Sequence, residues 1–222
     1  MTTKAKQKGV SQVKIDPANL DVMGNFDLQH NCIVPRPVFL VSTLSETGVL
    51  NVAPFSYFAA INFYPPTLCF SVMRRNGMKM DTLRNIEYSR DFVASIVDES
   101  FVGPMHQCAA AYPADVSEFA EVGLTPVKSE KVKAPSVAES LINIECTLAD
   151  IVEVGKMPYS ASLIIGETVL YNIKDEFYIN GSVDLSRARL IGVLGGNMRA
   201  AAYCRLGEVF KMARPTPPLK ST

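Results

Sequence analysis

The sequence has no excess charge of either sign and no long hydrophobic run. Its 222 residues include 22 Lys and Arg and 22 Asp and Glu, so the molecule has no net field that attracts nucleic acid or an anionic membrane. Its longest apolar stretches, such as residues 38–41 and 163–165, are far shorter than the roughly 20 residues of a membrane-spanning helix. Residues 1–9 are basic but lack the apolar segment of a secretory signal, and we expect residues 1–15 to form a tail. These absences predict a cytoplasmic protein with no nucleic-acid or membrane partner.

Cysteine and histidine are too few and too scattered to suggest a metal site. The five cysteines, at positions 32, 69, 108, 146 and 204, form no Cys-x-x-Cys pair, so neither a zinc site nor a disulfide framework is expected. Free thiols fit a reducing cytoplasm better. His30 and His106 have no second histidine or carboxylate at ligand spacing. We therefore predict no metal centre.

The sequence also lacks a dinucleotide-binding fingerprint. The glycine cluster at residues 192–196 follows an apolar stretch but does not have the Gly-x-Gly-x-x-Gly spacing. No amphipathic helix or acidic partner follows where a Rossmann unit needs them. We interpret the cluster as a loop whose backbone turns tightly or approaches another group closely.

The composition is that of a globular domain: 48 % of the residues are hydrophobic and 20 % are charged, enough to form a real core. No internal repeat or linker divides the chain. We therefore expect a single domain over residues 1–222, with an ordered core at about 20–215.

Short apolar segments separated by turn residues predict a mainly β fold. Strands are predicted at residues 38–41, 49–55, 57–63, 67–73, 92–97, 141–154 and 160–173. Short helices are predicted at 82–86 with Asp81 as the cap, at 99–111, and at 117–122 before Gly123. Loops are expected from Asp175 onwards. Because there is no regular alternation of strands and helices, the pattern favours a barrel or sandwich over a doubly wound sheet.

Residues 51–58 form a strand segment that leaves room for a flat ligand. Its residues from Asn51 to Ser56 are mostly small, so a ring could lie against the backbone, and Asn51 and Ser56 could pair with the polar edge of an isoalloxazine. Pro54 cannot donate to a ladder, which predicts an irregular strand with free polar groups. The alternative is an ordinary edge strand with a bulge.

Residues 74–82 place cations before the start of a predicted helix. The unpaired N–H groups of a helix start, flanked by Arg and Lys, attract a phosphate, and Thr82 and Lys79 are the first candidates for that contact. The alternative is a solvated charged loop. One strand separates this segment from residues 51–58, so the two can form a ring site and a phosphate site for one ligand.

Several segments follow one another in an order that is typical of one family. They are residues 35–43 (PRPVFLVST), 51–58 (NVAPFSYF), 65–68 (PPTL), 79–86 (KMDTLRNI), 116–119 (VSEF), 123–126 (GLTP), 194–196 (LGG) and 203–207 (YCRLG). Together they make the chain, from about Asp27 to Pro215, resemble the flavin-reductase-like family of FMN-binding split barrels.

The resemblance implies a mainly β, Greek-key split barrel with short helices that forms a homodimer, with one FMN per subunit near the dimer interface. It also implies that the flavin ring lies along residues 51–56 and the phosphate near the Lys-x-Asp-Thr turn. The FMN contacts that it implies are Asn51, Val52, Ala53, Ser56, Ser71, Arg74, Lys79 and Thr82. One departure from the family pattern is the segment 197–202, which intervenes before Tyr203 and changes substrate access if it covers the flavin.

The function implied by the resemblance is hydride transfer from NAD(P)H to the flavin, with electrons passed to free flavin, ferric iron, a small organic substrate or a partner oxygenase. Since the cofactor carries the chemistry, no catalytic side chain is named. The alternative is a non-enzymatic FMN-binding electron carrier or redox sensor without a nicotinamide site.

Overall fold

The computed structural model describes residues 11–197 and 200–215. Most of the predicted tail, residues 1–10, and residues 198–199 of the segment 197–202 lie outside the described part of the chain. The described helices are α1 (Val22–Cys32), α2 (Asp81–Ser89), α3 (Val102–Gln107) and α4 (Glu118–Val122). The described strands are β1 (Arg36–Pro37), β2 (Phe39–Leu44), β3 (Leu50–Phe55), β4 (Phe58–Phe63), β5 (Pro66–Met73), β6 (Asp91–Ile96), β7 (Pro126–Val127), β8 (Ser136–Val137), β9 (Ile142–Val154), β10 (Ala161–Ile173), β11 (Tyr178–Ile179), β12 (Ser182–Val183), β13 (Ile191–Asn197) and β14 (Ala200–Arg205).

Seven strands form one antiparallel sheet in the order β3-β2-β6-β9-β10-β5-β4. The two edge strands of this sheet, β3 and β4, are joined by only Ser56 and Tyr57, and the ring of Phe55 in β3 lies 5.0 Å from that of Phe70 in β5, so the two ends of the sheet curl towards each other. The sheet is therefore a partly closed barrel with a seam between β3 and β5. The prediction of a mainly β barrel with short helices is confirmed.

Strand β3 borders two separate hydrophobic clusters because its side chains alternate between its faces. Ala53 and Phe55 face the barrel interior, where Phe70 and Phe92 also lie. Val52 faces the other way and packs among residues of β1–β2, α3 and α4. Pro54 is tolerated because β3 is an edge strand of this sheet.

The prediction of loops after Asp175 is wrong for residues 191–197 and 200–205, which form strands β13 and β14. The glycine cluster that was predicted to be a loop lies within β13, and Gly195 and Gly196 have φ of 114° and 112°. The close approach predicted there is confirmed, because the side-chain amide of Asn31 in α1 donates to the Gly196 carbonyl and accepts from its N–H, both at 3.1 Å. A Cβ on Gly195 would collide with Asn31. The glycines thus dock α1 on β13.

We expect the substitution Gly166→Ala to destabilise the barrel. A Cβ at Gly166, in β10, would lie 2.7 Å from Cε1 of Phe92 and still nearer to its Cζ, and Phe92 is fully buried. Overpacking of this kind costs about 1–3 kcal/mol of unfolding free energy, measurable by urea denaturation. Gly103→Ala is the control, because a Cβ there meets nothing within 4 Å. Equal midpoints for the two variants would contradict the prediction.

Candidate ligand-binding site

A cavity of about 270 Å³ opens at the seam between β3 and β5. Its other walls come from five places: the loop before α2, the start of α2, the segment 108–112 after α3, residues Phe26 and His30 of α1, and Glu118 at the start of α4. Five of the predicted ligand contacts line it: Asn51, Ala53, Ser56, Ser71 and Thr82. The two predicted half-sites, on β3 and at the start of α2, therefore share one cavity.

Three predicted contacts, Val52, Arg74 and Lys79, are not among the lining residues. The Val52 side chain is fully buried on the opposite face of β3. Arg74 is paired with Glu153 at 2.8 Å, and the ammonium of Lys79 lies 2.5 Å from Glu87. Their roles as ligand contacts stay predictions, and the two cations would have to exchange carboxylate partners to fulfil them.

The deep end of the cavity is held in place by buried polar side chains. The amide nitrogen of Asn51 donates to the hydroxyls of Thr43 at 3.1 Å and Thr82 at 3.3 Å, and Asn85 donates to Thr43 at 3.0 Å. All four residues are buried. Because buried polar groups of this kind are costly to leave unpaired, the network fixes β3 and the first turn of α2 relative to each other.

The start of α2 is open to an anion. The predicted cap, Asp81, is wrong: Met80 occupies the capping position, with no side-chain hydrogen bond to the helix start, and Asp81 in the first turn pairs with Arg84. The N–H groups of the first turn therefore lack a capping side chain among the described residues, and such groups attract negative charge.

Arg75 is the cation of the segment 74–82 that lines the cavity. It belongs to a two-residue turn, in which Asn76 and Gly77 have φ of 52° and 76° and Arg75 and Met78 exchange backbone hydrogen bonds at 3.1 and 2.9 Å. Asn-Gly favours such a turn because both central residues need a positive φ. Adjacent arginines cannot be told apart by composition, so only the turn geometry selects Arg75 over Arg74.

The opposite end of the cavity is aromatic and comes partly from α1. The rings of Phe26 and His30 stack with centroids 5.1 Å apart, and Tyr57 completes this end. Buried Arg36 lies 5.2 Å from the Tyr57 ring centre and donates to the Ile33 carbonyl at the end of α1 at 2.6 Å. Burial, with the charge of Arg36, lowers the pKa of His30, which favours a neutral imidazole. The sequence analysis missed α1 because no residue of that helix is buried.

The thiol of Cys108 lines the cavity but is a poor nucleophile. It is 2 % exposed, and burial, with the charge of Glu118, raises its pKa to about 12. Burial likewise raises the pKa of Cys146 to about 12. At neutral pH both groups are thiols rather than thiolates, so covalent cysteine chemistry is not expected in this cavity.

We expect iodoacetamide at mildly alkaline pH to label Cys32 first, because Cys32 is exposed. Cys108 and Cys146 should remain unlabelled in the folded protein, because a raised pKa keeps the thiolate population low until the pH approaches it. Peptide mass spectrometry after timed labelling checks this order, and all five cysteines should react in denaturant. Early labelling of Cys108 would contradict it.

Within the described residues, no group of three or more His, Cys, Asp or Glu side chains could hold a metal ion. None of the described helices is both long enough and apolar enough to cross a bilayer.

A partly closed antiparallel barrel, with a ligand cavity at its seam, defines the molecule as a split β-barrel protein. The sequence pattern of the "Flavin reductase like domain" family matches residues 31–184. The chain belongs to this family, as the sequence analysis predicted, and its members are flavin-dependent oxidoreductases.

Individual relatives support the same assignment. A Halalkalibacterium halodurans protein is 35 % identical over 92 % of this chain and 97 % of its own length. The crystal structure of nitrilotriacetate monooxygenase component B from Bacillus cereus is 33 % identical, with a TM-score of 0.86 over 92 % of this chain and 100 % of the other. That of the 2-nitrobenzoate 2-nitroreductase NbaA from Pseudomonas fluorescens is 28 % identical, with a TM-score of 0.82 over 94 % and 100 %.

Proposed function

We propose that the protein binds FMN in the seam cavity and reduces it with NAD(P)H, passing the electrons to free flavin, ferric iron or a partner protein. The observation that carries the proposal is the shared cavity. Ala53 and Ser56 of the β3 segment and Thr82 at the start of α2 line the same space, so one ligand with a flat ring and an anionic end can contact both.

The residues present fit FMN at both ends. The uncapped first turn of α2, with the Thr82 hydroxyl and Arg75, offers N–H, O–H and cationic groups to a phosphate. Ala53, Pro54 and the alanines at 109–111 leave a wall of small side chains for the ring. Ser56 and Ser71 supply hydroxyls that can pair with the polar edge of the ring.

A bound flavin would supply a two-electron acceptor for a hydride from a nicotinamide. The contribution of this chain is to hold the ring on β3, to keep the phosphate on α2 and to shield the space from water. No acid–base residue is required for hydride transfer itself.

We further propose that the working form is a cytoplasmic homodimer. The cavity of about 270 Å³ opens at the seam, where a second subunit could close over it. Apolar side chains beside the seam support this, since Phe63, Tyr64 and Ile61 at the end of β4 are 89 %, 87 % and 50 % exposed. Exposed apolar patches mark association surfaces. We propose the cytoplasmic location because the five cysteines are free thiols, which persist in a reducing compartment.

A partner oxygenase is the acceptor that the relatives favour. The Bacillus cereus relative carries the name of one component of a monooxygenase, a name that implies a second component. The other similar structure is named as a nitroreductase, so a small organic acceptor is the second candidate for this chain.

An electron carrier without a nicotinamide site is the alternative function. The aromatic end of the cavity favours a carrier. Phe26, His30 and Tyr57 form its wall, and the neighbouring cation, Arg36, is only 4 % exposed, so it is not accessible to a second ligand. A nicotinamide dinucleotide carries phosphates, and an exposed Arg or Lys at this end would favour its binding.

Anaerobic titration of the FMN-loaded protein separates the two functions. We expect NADH or NADPH to bleach the oxidised flavin spectrum with one equivalent per flavin. A protein that binds FMN but stays oxidised with both nucleotides, and is bleached by dithionite, is a carrier or sensor. A protein that gains no flavin absorbance when mixed with FMN contradicts the proposal as a whole.

Substitution of Arg75 with alanine should weaken FMN binding more than riboflavin binding, because the lost contact is to the phosphate. A charge-assisted contact is worth about 1.5–3 kcal/mol when buried, and since Arg75 is exposed we expect about fivefold to tenfold at low salt. Lys79→Ala should act in the same direction but less strongly, because the ammonium of Lys79 pairs with Glu87.

Fluorescence titration with FMN and riboflavin measures both affinities for each variant. Arg187→Ala is the matched control, because Arg187 is exposed and is not among the residues that line the cavity. Equal weakening of FMN and riboflavin would remove Arg75 from the phosphate site.

A further inference from the structure

Glu118 is a buried carboxyl group in the cavity wall that the proposed hydride transfer does not use. It is the first residue of α4 and is 7 % exposed. One carboxylate oxygen, Oε2, accepts the backbone N–H of Val52 at 3.1 Å, and the N–H of Glu118 itself also contacts the carboxylate. Among residues 11–197 and 200–215, no Lys or Arg forms an ion pair with it.

A buried carboxyl group without an ion-pair partner is costly unless its oxygens are hydrogen-bonded, and two backbone N–H groups partly compensate this one. Burial raises the pKa of Glu118, and the negative charge of Asp81 raises it further. The other titratable side chains that line the cavity are His30, Tyr57, Arg75, Cys108 and Tyr112. Since no cation compensates the group, its remaining acceptor capacity is directed at the cavity rather than at a structural ion pair.

The position of Glu118 along β3 indicates which part of a ligand it meets. Glu118 is hydrogen-bonded to Val52. Val52 lies between Asn51, which is close to the proposed phosphate site, and Ala53, which is the first residue of the wall proposed to contact the flavin ring. Successive residues of a strand are separated by roughly 3.3 Å. Glu118 is therefore level with the part of the ligand that joins the ring to the phosphate.

We propose that Glu118 binds the hydroxyl groups of the sugar-alcohol chain that joins the ring to the phosphate in FMN. This inference rests on the proposed function. Hydroxyls are suited to the site because they donate to a carboxylate and also pair with a protonated carboxyl. A phosphate is unsuited to direct contact with Glu118, because a carboxylate and a phosphate repel each other and neither donates a hydrogen bond when ionised.

The test compares three flavins with the full-length protein and with the variants Glu118→Ala and Glu118→Gln. The flavins are FMN, riboflavin, which lacks the phosphate, and lumiflavin, which lacks the hydroxyl chain. We expect Glu118→Ala to weaken FMN and riboflavin alike, by about tenfold, and to leave lumiflavin binding unchanged. Glu118→Gln keeps an acceptor oxygen and should retain most of the affinity.

Control measurements separate a ligand contact from a structural role. Glu121→Ala is the matched control, because Glu121 lies on the same short helix and is exposed, and thermal unfolding of each variant reports its fold. Equal weakening of lumiflavin by Glu118→Ala, or no weakening of any flavin, overturns the inference while the proposed function stands. Failure of the unmodified protein to bind any of the three flavins overturns both.

Discussion

Replacing Ala110 with tryptophan is expected to abolish FMN binding while leaving the protein folded. Ala110 lines the seam cavity and its side chain is exposed to it, so an indole would occupy space that the proposed ring needs. The expected loss of affinity is about a hundredfold or more, ~2.8 kcal/mol of binding free energy. Absorbance and fluorescence titrations with FMN measure it.

The matched control for this variant is Ala114→Trp, since Ala114 is exposed in the same loop but does not line the cavity. It should bind FMN like the unmodified protein. Normal FMN binding by Ala110→Trp would place the flavin elsewhere and would contradict the assignment of this cavity.

Replacing Phe70 with alanine is expected to destabilise the barrel by about 3–5 kcal/mol of unfolding free energy, the usual cost of truncating a buried phenylalanine. Phe70 is fully buried and its ring lies 5.0 Å from that of Phe55, 5.9 Å from Phe58 and 5.3 Å from Phe92. These rings connect β3, β4, β5 and β6 across the barrel interior, so a cavity there removes contacts from both sides of the seam.

Urea denaturation followed by circular dichroism measures this change. Phe63→Ala is the control, because Phe63 is 89 % exposed in the single chain, and at concentrations where the protein is monomeric it should change the unfolding free energy little. If the protein dimerises through this surface, the midpoint of the unmodified protein should depend on protein concentration, and that of Phe63→Ala should depend on it less. A cost for Phe70→Ala below about 1 kcal/mol would contradict the described core.

The strands and short helices of the barrel could be predicted because their signals are local. Alternation and turn residues marked β2, β3, β5, β6, β9 and β10, and Gly123 in the left-handed conformation, with φ of 73°, ended α4 as expected. Local signals did not predict α1, which has no buried residue. They also gave a loop instead of a strand for the glycines of β13. Their conformation is decided by Asn31, which is remote in the sequence.

The sequence predicted the two segments that form the candidate site, but not which of their charged side chains line it. Small residues on β3 and a helix start with nearby cations are visible in the sequence, and both line the cavity. The sequence could not choose Arg75 over Arg74, because that choice depends on the turn at Asn76-Gly77 and on the pairing of Arg74 with Glu153. Nor could it place Glu118, whose bond to Val52 joins residues far apart in the chain.

The sequence alone determined the mainly β class, the absence of a metal-binding or dinucleotide-binding motif, and the family, because each depends on residue types and on their order along the chain. The tertiary structure decided which polar groups meet in the cavity. Hydrogen bonds such as that between Asn51 and Thr82 form only when α2 packs against β2 and β3, and no local pattern encodes that contact.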